Sequence, residues 1–424
     1  MIRLHPLSKP VDATVEIPGS KSYTNRALFM AALTQGTVRI VNPLISDDTE
    51  AMMRCLEMLG VTCTRGSGVI EVTGGRSRIK ADAVDLNANL SGTTIRFLLP
   101  LLCAIPGTKT LRGEEGLNKR PIKDLVDGLR QLGADIAYME HDGCPPLKIS
   151  SARLNSGVIK INGGVSSQYF SAILMTAPLL GDVTIEVIGE QISKPYIDMT
   201  IDTMQKFGVT VENEQYKTYR VAGGQSYDIS EYIVEGDVSS ASYFAAIATI
   251  TKSRIVMKNM NPESVQADMG FLKILQEMGS KIEYGINEIT VTGNGVRAMH
   301  VDMEHCPDQA QTLAVLAAFA DGLTTISGVR SLRVKETERV KAVEAELVKM
   351  GIKTESTQDV LKIYGGNPHA AIIDTYGDHR MAMSFAVAGI VLNGLQINNP
   401  EVVSKTFPTF WEKLKEIGIE VSPC

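Results

Sequence analysis

The sequence predicts an α/β protein made of two closed, pseudo-threefold domains. Two recurring features support this prediction, and the first is an amphipathic segment that ends in an apolar residue followed by glycine. These pairs are Leu59-Gly60, Leu132-Gly133, Phe207-Gly208, Met278-Gly279, Met350-Gly351 and Ile417-Gly418. They are 67 to 75 residues apart, so the 424 residues divide into six units of about 71 residues.

Each amphipathic segment is predicted to form an outer helix. From Met52, apolar residues recur at positions i, i+3, i+4 and i+7, which places them on one helix face. The glycine after the segment suits the left-handed residue that closes many helices. Apolar and polar residues then alternate, as in segments 209–211 and 281–284, so a strand is predicted after most of these helices.

The second recurring feature is a short polar head followed by a nearly all-apolar run, which predicts an inner helix buried on all sides. The heads begin at Ser20, Ser91, Ser166, Ser239, Asp308 and Asp378. Free N–H groups and the helix dipole favour anions at such positions, although Ser, Thr and Asp are also ordinary N-caps. Six buried helices divide most naturally into three per domain, and this period is too long for a solenoid.

Composition and charge limit the classes of partner. The net charge is −6, from 42 basic and 48 acidic residues, and no basic block indicates binding to nucleic acid or a membrane surface. No apolar stretch approaches the ~20 residues that span a bilayer, and the N-terminus lacks a signal peptide. The six cysteines have no metal-ligand or disulfide spacing. We therefore expect a cytoplasmic protein with reduced cysteines, no metal, and no nucleic-acid or membrane partner.

Cations stand out in spite of the net negative charge, some of them on the polar heads and others between the heads. They are Lys21, Arg26, Arg96, Arg120, Arg333, Lys335, Arg339, Arg380 and Lys405. Arginine suits two-pronged binding of carboxylate or phosphate, so we expect a site for small anions. Segment 333–339 is equally compatible with a solvated helix face carrying i, i+4 ion pairs. The motifs GxxxxGK(S/T), GxGxxG and GxSxG are absent beside the heads, which argues against nucleotide sites and a hydrolase elbow.

These segments together resemble the 5-enolpyruvylshikimate-3-phosphate synthase family, and the resemblance runs nearly from end to end. The motifs that carry it are Pro18-Gly19-Ser20-Lys21-Ser22, Ser91-Gly92-Thr93, Lys119-Arg120-Pro121-Ile122, Ser166-Ser167-Gln168, Ser193-Lys194-Pro195-Tyr196, Arg333-Val334-Lys335-Glu336-Thr337, Asp378-His379-Arg380 and Lys405-Thr406-Phe407-Pro408. The chain departs from the family at two positions. Leu90 stands where Asn is usual, with Asn89 one residue earlier, and Ser331 replaces another usual Asn.

The resemblance implies two domains of three βαβαββ units each, arranged as an inside-out α/β barrel with an interdomain cleft. One domain would comprise residues 1–19 and 236–424, and the other residues 20–235. It also implies transfer of enolpyruvyl from phosphoenolpyruvate to the 5-hydroxyl of shikimate-3-phosphate, through a tetrahedral intermediate and without metal or organic cofactor. We expect the protein to act as a monomer on these two small molecules.

The resemblance assigns roles to individual residues. Shikimate-3-phosphate would contact Lys21, Ser22, Arg26, Ser166, Ser167, Gln168, Ser193, Tyr196, Asp308, Ser331 and Lys335. Phosphoenolpyruvate would contact Lys21, Gly92, Arg120, Gln168, Arg339, Arg380 and Lys405. Asp308 would act on the 5-hydroxyl, while Glu336 and Lys21 would deliver protons and assist the leaving group. The sequence leaves open which of the three makes each proton transfer, and His379 is expected to orient the cluster.

Two other functions stay open at this point. Enzymes that transfer enolpyruvyl to UDP-N-acetylglucosamine resemble this family, but they carry a cysteine before their Arg-Pro, and segment 113–119 has none. A catalytically inactive anion-binding protein could also use the same scaffold. The charged residues retained at Lys21, Asp308 and Glu336 argue against an inactive protein.

Overall fold

A computed structural model describes residues 1–80, 82–150 and 153–424. Its α-helices are α1 (Lys21–Leu33), α2 (Asp47–Met58), α3 (Gly92–Ala104), α4 (Glu115–Asn118), α5 (Lys123–Gln131), α6 (Ser167–Thr176), α7 (Lys194–Lys206), α8 (Val238–Thr251), α9 (Met269–Glu277), α10 (Ala310–Ala318), α11 (Arg339–Lys349), α12 (His379–Gly389) and α13 (Phe410–Glu416). Short 3-10 turns cover Ala177–Leu179, Pro307–Gln309, Arg330–Val334 and Pro400–Lys405.

The strands alternate with these helices along the whole chain. They are β1 (Ile2–Leu4), β2 (Asp12–Glu16), β3 (Gly36–Val41), β4 (Thr62–Gly66), β5 (Val69–Gly74), β6 (Ala83–Asn87), β7 (Thr108–Arg112), β8 (Ile136–Tyr138), β9 (Leu147–Ile149), β10 (Gly157–Asn162), β11 (Val183–Ile188), β12 (Glu212–Glu214), β13 (Thr218–Val221), β14 (Glu231–Ile233), β15 (Arg254–Lys258), β16 (Lys281–Gly285), β17 (Glu288–Thr292), β18 (His300–Asp302), β19 (Gly322–Ser327), β20 (Lys353–Ser356), β21 (Val360–Gly365), β22 (Ile372–Ile373), β23 (Gln396–Ile397) and β24 (Val421–Pro423).

Each sheet repeats one plan of four strands, joined by one parallel pairing and two antiparallel pairings. In the sheet ordered β6-β7-β9-β8, the parallel pair β6 and β7 is connected by the inner helix α3. The outer helix α5 and the antiparallel strands β8 and β9 follow. The same four-strand order recurs six times over the described residues. The predicted α/β class with a six-fold repeat is therefore confirmed.

The outer helices end where the sequence predicts. The glycines that follow them have φ angles between 82° and 110°, in the left-handed region that closes a helix: Gly60, Gly133, Gly208, Gly279, Gly351 and Gly418. The strand predicted at 209–211 was wrong, because β12 begins at Glu212. The N–H group of Val209 donates to Met204 O at 2.8 Å, so these residues still belong to the closure of α7.

The inner helices α1, α3, α6, α8, α10 and α12 are buried along almost their whole length. Ser20, Ser91, Ser166 and Asp378 accept N-cap hydrogen bonds, as their positions predict. The other two heads differ from the prediction. Asp237 caps α8, which places Ser239 inside the helix, and Asp308 lies in a 3-10 turn before α10.

The described chain divides into two compact units, and each has its own apolar core. One unit comprises Met1–Pro18 and Glu235–Cys424, and the other comprises Gly19–Val234. In the first unit, β1 pairs with β23 and β24, and β2 pairs with β15, so the N-terminal residues complete two of its sheets. In the second, β14 pairs in parallel with β3, so the end of this segment completes the sheet near its start.

Three further features concern membrane-spanning helices, metal ligands and the cysteines. Among residues 1–80, 82–150 and 153–424, no helix has the length and hydropathy needed to cross a membrane. The same residues contain no group of three or more His, Cys, Asp and Glu side chains arranged to hold a metal ion. None of the six cysteines, all of which lie in the described ranges, forms a disulfide bond. Burial raises the pKa of Cys55 to about 11, which makes it a weak nucleophile.

Candidate active site

A cluster of ionisable side chains forms in the unit that contains both termini. Its members come from four places in the fold: the 3-10 turn before α10, the loop and first turn of α11, the start of α12, and the 3-10 turn that ends at Lys405. They are Asp308, Lys335, Glu336, Arg339, Asp378, Arg380 and Lys405. We call this set the carboxylate cluster.

Arg339 is the centre of the carboxylate cluster. Its Nη1 lies 3.0 Å from Asp308 Oδ1, its Nη2 lies 2.8 Å from Glu336 Oε2, and its Nε lies 2.7 Å from Asp378 Oδ2. The side chain is 2% exposed. Burial alone would lower the pKa of Arg339, but Asp378, Glu336 and Asp308 raise it above its usual value. The guanidinium therefore stays charged and fixes the positions of three carboxylates.

Asp308 is surrounded by cations. Besides Arg339, Nη2 of Arg380 lies 3.0 Å from its Oδ2 and Nζ of Lys335 lies 3.5 Å from its Oδ1. Burial disfavours the charged form, yet Arg380, Lys335 and Arg339 outweigh burial and hold the pKa of Asp308 well below its usual value. Asp308 is therefore ionised at neutral pH.

Glu336 bridges two cations of the carboxylate cluster. Its Oε1 lies 3.0 Å from Nζ of Lys405, and its Oε2 accepts from Arg339. The interpretation of segment 333–339 as a solvated helix was wrong for most of its length, because α11 begins only at Arg339. Lys335 and Glu336 lie on the preceding loop, which directs both side chains to the cluster.

Asp378 has a double role at the start of α12. Its Oδ1 accepts from the N–H group of Arg380 at 2.9 Å, which caps the helix, while its Oδ2 accepts from Arg339. The same carboxylate therefore fixes the helix that carries Arg380 and the guanidinium of Arg339. His379 is buried beside it, with Nδ1 at 3.6 Å from Asp378 Oδ1. The orienting role expected of His379 stays a prediction.

The predicted set of site residues did not include Asp268. This carboxylate is 3% exposed and accepts a hydrogen bond from the hydroxyl of Ser239, whose oxygen lies 3.5 Å from Nη2 of Arg380. Burial raises the pKa of Asp268 to about 6, and Arg380 opposes part of the rise. The sequence offered one signal, the polar head at Ser239, but nothing local to 268 indicated that this aspartate approaches it.

In the other unit, Lys21 and Arg26 lie on α1. Nζ of Lys21 is 3.0 Å from Oδ2 of Asp48. Arg26 donates to the Thr200 hydroxyl at 2.8 Å and to the backbone oxygens of Ser22 and Tyr196 at 3.0 and 2.9 Å. Burial lowers the pKa of Arg26 to about 10. Arg26 therefore connects α1 to α7.

Gly92 and Arg120 are close together in this unit. A Cβ atom on Gly92 would lie 2.9 Å from Nη1 of Arg120, so glycine allows the guanidinium to approach the start of α3. An arginine against free helix N–H groups provides a suitable place for an anion. Leu90, which departs from the family pattern, is 44% exposed, and Asn89 before it has φ of 50°.

Gln168 is held by two residues of α3. Its Oε1 accepts from Nη1 of Arg96 at 2.5 Å, and its Nε2 donates to the Thr93 hydroxyl at 3.2 Å. Arg96 also lies 5.6 Å from the ring centre of Tyr169, a cation–π contact. Arg96 thus orients the amide of Gln168, a role that the sequence did not assign to it.

The serines expected to bind phosphate lie before or at the start of helices. Ser166 accepts from the N–H group of Gln168 and caps α6, which begins at Ser167. Ser193 precedes α7 and has φ of 53°. Both Ser167 and Ser193 are less than a tenth exposed. Ser331, in the other unit, lies within the 3-10 turn Arg330–Val334.

Comparisons with known proteins agree with this architecture. The profile of the EPSP synthase (3-phosphoshikimate 1-carboxyvinyltransferase) family matches residues 7–414. A 3-phosphoshikimate 1-carboxyvinyltransferase of Sulfurovum sp. (strain NBC37-1) is 44% identical and covers 98% of this chain and 99% of its own length. That of Shewanella amazonensis (strain ATCC BAA-1098 / SB2B) is also 44% identical, with the same coverage.

A solved EPSP synthase of Acinetobacter baumannii superposes with a TM-score of 0.83 at 28% identity, over 100% of this chain and 99% of the other. The repeated α/β fold with its clustered cations and carboxylates is thus the fold of a known class of transferases. The chain belongs to the EPSP synthase family. The resemblance found in the sequence is confirmed.

Proposed function

We propose that this chain transfers the enolpyruvyl group of phosphoenolpyruvate to the 5-hydroxyl of shikimate-3-phosphate and releases phosphate. This is the reaction of a 3-phosphoshikimate 1-carboxyvinyltransferase, the name of the relatives that match 98% of the chain. The enzyme acts in the shikimate pathway, which leads to chorismate and the aromatic amino acids.

The observation that carries the proposal is that Arg339 binds both Asp308 and Glu336. Each carboxylate also has a cation of its own, Arg380 for Asp308 and Lys405 for Glu336. The reaction needs a base for a hydroxyl group and an acid–base group for a methylene carbon. It also needs cations for a phosphate and a carboxylate. The carboxylate cluster supplies both kinds of group within one unit of the protein.

The proposed reaction has two steps. In the addition, the 5-oxygen attacks C2 of phosphoenolpyruvate, Asp308 takes the hydroxyl proton, and C3 receives a proton. The product is a tetrahedral intermediate that still carries phosphate. In the elimination, C3 loses a proton, the bond from C2 to the phosphate oxygen breaks, and the C2–C3 double bond returns. Glu336 and Lys21 are the groups proposed to move protons at C3 and to assist the departing phosphate.

The residues assigned to shikimate-3-phosphate fall into two groups. Ser166, Ser167, Ser193 and Lys335 would bind its phosphate. Lys21, Ser22, Arg26, Gln168, Tyr196, Asp308 and Ser331 would contact the ring, its hydroxyl groups and its carboxylate. The proposal is supported by Gln168, whose amide is already oriented by Arg96 and Thr93. Ser331 has a shorter side chain than the asparagine usual in the family, so it reaches less far toward the substrate.

Phosphoenolpyruvate is proposed to bind mainly through cations. Lys21, Gly92, Arg120, Gln168 and Lys405 would contact its phosphate, and Arg339 and Arg380 its carboxylate. Arg380 and Lys335 now neutralise Asp308, and the bound anions would compete for these same cations. The pKa of Asp308 would then rise toward its usual value, which makes it a stronger base when both substrates are present.

A coupled phosphate-release assay on the purified protein tests the function. With phosphoenolpyruvate as donor, we expect turnover with shikimate-3-phosphate and none with UDP-N-acetylglucosamine. Turnover with the UDP-sugar alone would identify the other type of enolpyruvyl transferase. Tight binding of shikimate-3-phosphate without turnover would identify an inactive anion-binding protein.

We further propose that the protein acts as a monomer in the cytoplasm, on small-molecule substrates only. The lack of any basic block in the sequence supports the absence of a nucleic-acid partner. Sedimentation of the purified protein tests the oligomeric state: a mass near 45.9 kDa is expected, and a multiple of it would contradict the monomer.

A further inference from the structure

Arg333 lies at one end of the loop that carries Lys335 and Glu336. The loop leaves the 3-10 turn Arg330–Val334 and ends at Glu338, the N-cap of α11. Nη1 of Arg333 lies 3.0 Å from Oε1 of Glu338, so an ion pair connects the two ends of the loop. Lys335 and Glu336 lie between these ends.

Arg333 also attaches the loop to the turn between β20 and β21. Its Nε donates to the backbone oxygen of Gln358 at 3.0 Å, and its Nη2 donates to that of Thr357. The N–H group of Arg330 donates to Oδ1 of Asp359 at 2.9 Å, which adds a second attachment to the same turn. The guanidinium thus uses all three of its nitrogens on protein groups.

Glu338 connects this attachment to the carboxylate cluster. Its Oε2 accepts from the N–H group of Lys341 at 3.1 Å, which caps α11. Arg339, the centre of the cluster, is the first residue of that helix. Arg333 therefore restrains both the loop that carries Lys335 and Glu336 and the start of α11.

We propose that Arg333 is a positioning residue for the enolpyruvyl transfer reaction, one that holds Lys335 and Glu336 in place without contacting substrate. This inference rests on the proposed function. A lysine could replace Arg333 only in part, because its ammonium group does not reproduce the fork of Nη1, Nε and Nη2 that contacts a carboxylate and two separate carbonyl oxygens. A displacement of about 1 Å in a catalytic group can cost up to about 100-fold in rate, so the attachment matters for catalysis.

The test compares Arg333→Met with Arg254→Met. Arg254 lies in the same unit and forms an exposed ion pair with Asp12, far along the chain from the loop. For Arg333→Met we expect kcat to fall and KM for shikimate-3-phosphate to rise, with a combined loss of about 10- to 100-fold in kcat/KM. For Arg254→Met we expect wild-type kinetics. Thermal unfolding of both variants reports the folded fraction.

Two more variants keep the test decisive if Arg333→Met folds poorly. Arg333→Lys keeps the charge beside Glu338 and should recover part of the activity. Asp359→Ala removes the second attachment without touching Arg333 and should raise KM for shikimate-3-phosphate in the same direction. Binding of shikimate-3-phosphate measured by calorimetry gives a readout that does not depend on turnover.

The outcomes separate the two proposals. If the wild-type protein neither turns over nor binds shikimate-3-phosphate, the proposed function fails and the role of Arg333 fails with it. If the wild-type protein is active but the Arg333 and Asp359 variants have wild-type kinetics, only the positioning role is overturned. A kcat that falls in proportion to the folded fraction, with KM unchanged, would also overturn it, because that result indicates a purely structural role.

Discussion

Nη1 of Arg339 lies 3.0 Å from Oδ1 of Asp308, so a buried arginine holds the carboxylate proposed to accept the substrate proton. The same guanidinium binds Glu336 and Asp378, which fixes the two proposed acid–base groups relative to each other and to the start of α12. The geometry of the reaction and the stability of this unit therefore depend on one side chain.

The first prediction concerns Asp308. In Asp308→Ala, shikimate-3-phosphate should still bind, because the serines and Lys335 assigned to its phosphate are unchanged. The kcat value should fall by about 10²- to 10⁴-fold, the usual contribution of a general acid or base. Phosphate release and calorimetric binding measure the two effects separately. Asp308→Asn is the matched control, because it keeps the shape of the side chain but removes the carboxylate, and its kcat should be nearly as low. Normal turnover in either variant would remove Asp308 from the mechanism.

The second prediction concerns the stability provided by Arg339. Arg339→Met leaves Asp378 and its neighbours without their central cation, and Asp378 is completely buried. We expect the free energy of unfolding to fall by about 3–5 kcal/mol, the usual cost of removing one partner of a buried ion pair. Urea denaturation followed by fluorescence or circular dichroism measures this change.

Arg254→Met is the control for that experiment. The ion pair of Arg254 with Asp12 is exposed, so its loss should cost less than about 1 kcal/mol. Arg339→Lys should restore only part of the stability, because a compact ammonium does not reproduce the fork in which Nη1, Nη2 and Nε each contact a different carboxylate. Equal losses in the Arg339 and Arg254 variants would contradict a special role for the buried network.

Local signals in the sequence predicted the repeated elements well. Glycine at the end of an outer helix and serine at the start of an inner helix act over a few residues, so Gly60 and Ser20 could be placed without tertiary information. The strand expected at 209–211 failed because Val209 serves the closure of α7. Alternation of apolar and polar residues over only three positions does not distinguish a strand from the segment that closes a helix.

The candidate site was predictable only in part. The motifs indicated Asp308, Glu336 and Arg339 as charged residues, but not that one guanidinium would join them. Asp268 is 112 positions from Arg380 in the chain, and its proximity to that arginine arises from the folding of α8, α9 and α12 together. No local pattern encodes such a contact, so the sequence could not identify Asp268.

The third prediction follows from Asp268. Burial raises its pKa to about 6, whereas an aspartate in the unfolded chain titrates near 3.8. Between these values the folded protein binds more protons than the unfolded chain, so this residue lowers stability as pH rises. The cost is complete above about pH 6 and amounts to an order of 1–3 kcal/mol. Asp268→Asn should therefore be more stable than the wild type at pH 8, with the difference shrinking toward pH 4.

Chemical denaturation at pH 4.5, 6 and 8 measures this difference. Asp302→Asn serves as the control for the same change of side chain at an exposed position. A stability difference for Asp268→Asn that is constant over this pH range would show that Asp268 keeps an ordinary pKa in the folded protein.

The fourth prediction concerns Gly236, where the chain enters the unit of the carboxylate cluster. A Cβ atom there would lie 2.0 Å from the backbone oxygen of Asn259, and the N–H group of Gly236 donates to that same oxygen at 2.9 Å. Asn259 also donates its side-chain amide to Ile17 O at 2.9 Å, so the backbone cannot move away freely. Gly236→Ala should lower the free energy of unfolding by about 3 kcal/mol.

Gly366→Ala is the matched control for Gly236→Ala. A Cβ atom at Gly366 meets nothing within 4 Å, so this substitution should be neutral or stabilise the protein by up to about 1 kcal/mol, through the lower entropy of the unfolded chain. Asp237, the residue after Gly236, caps α8, which carries Ser239 beside Arg380. Gly236→Ala should therefore also raise KM for phosphoenolpyruvate, while Gly366→Ala leaves it unchanged. Equal stabilities and equal KM values for the two variants would mean that the close approach at Gly236 does not constrain this part of the chain.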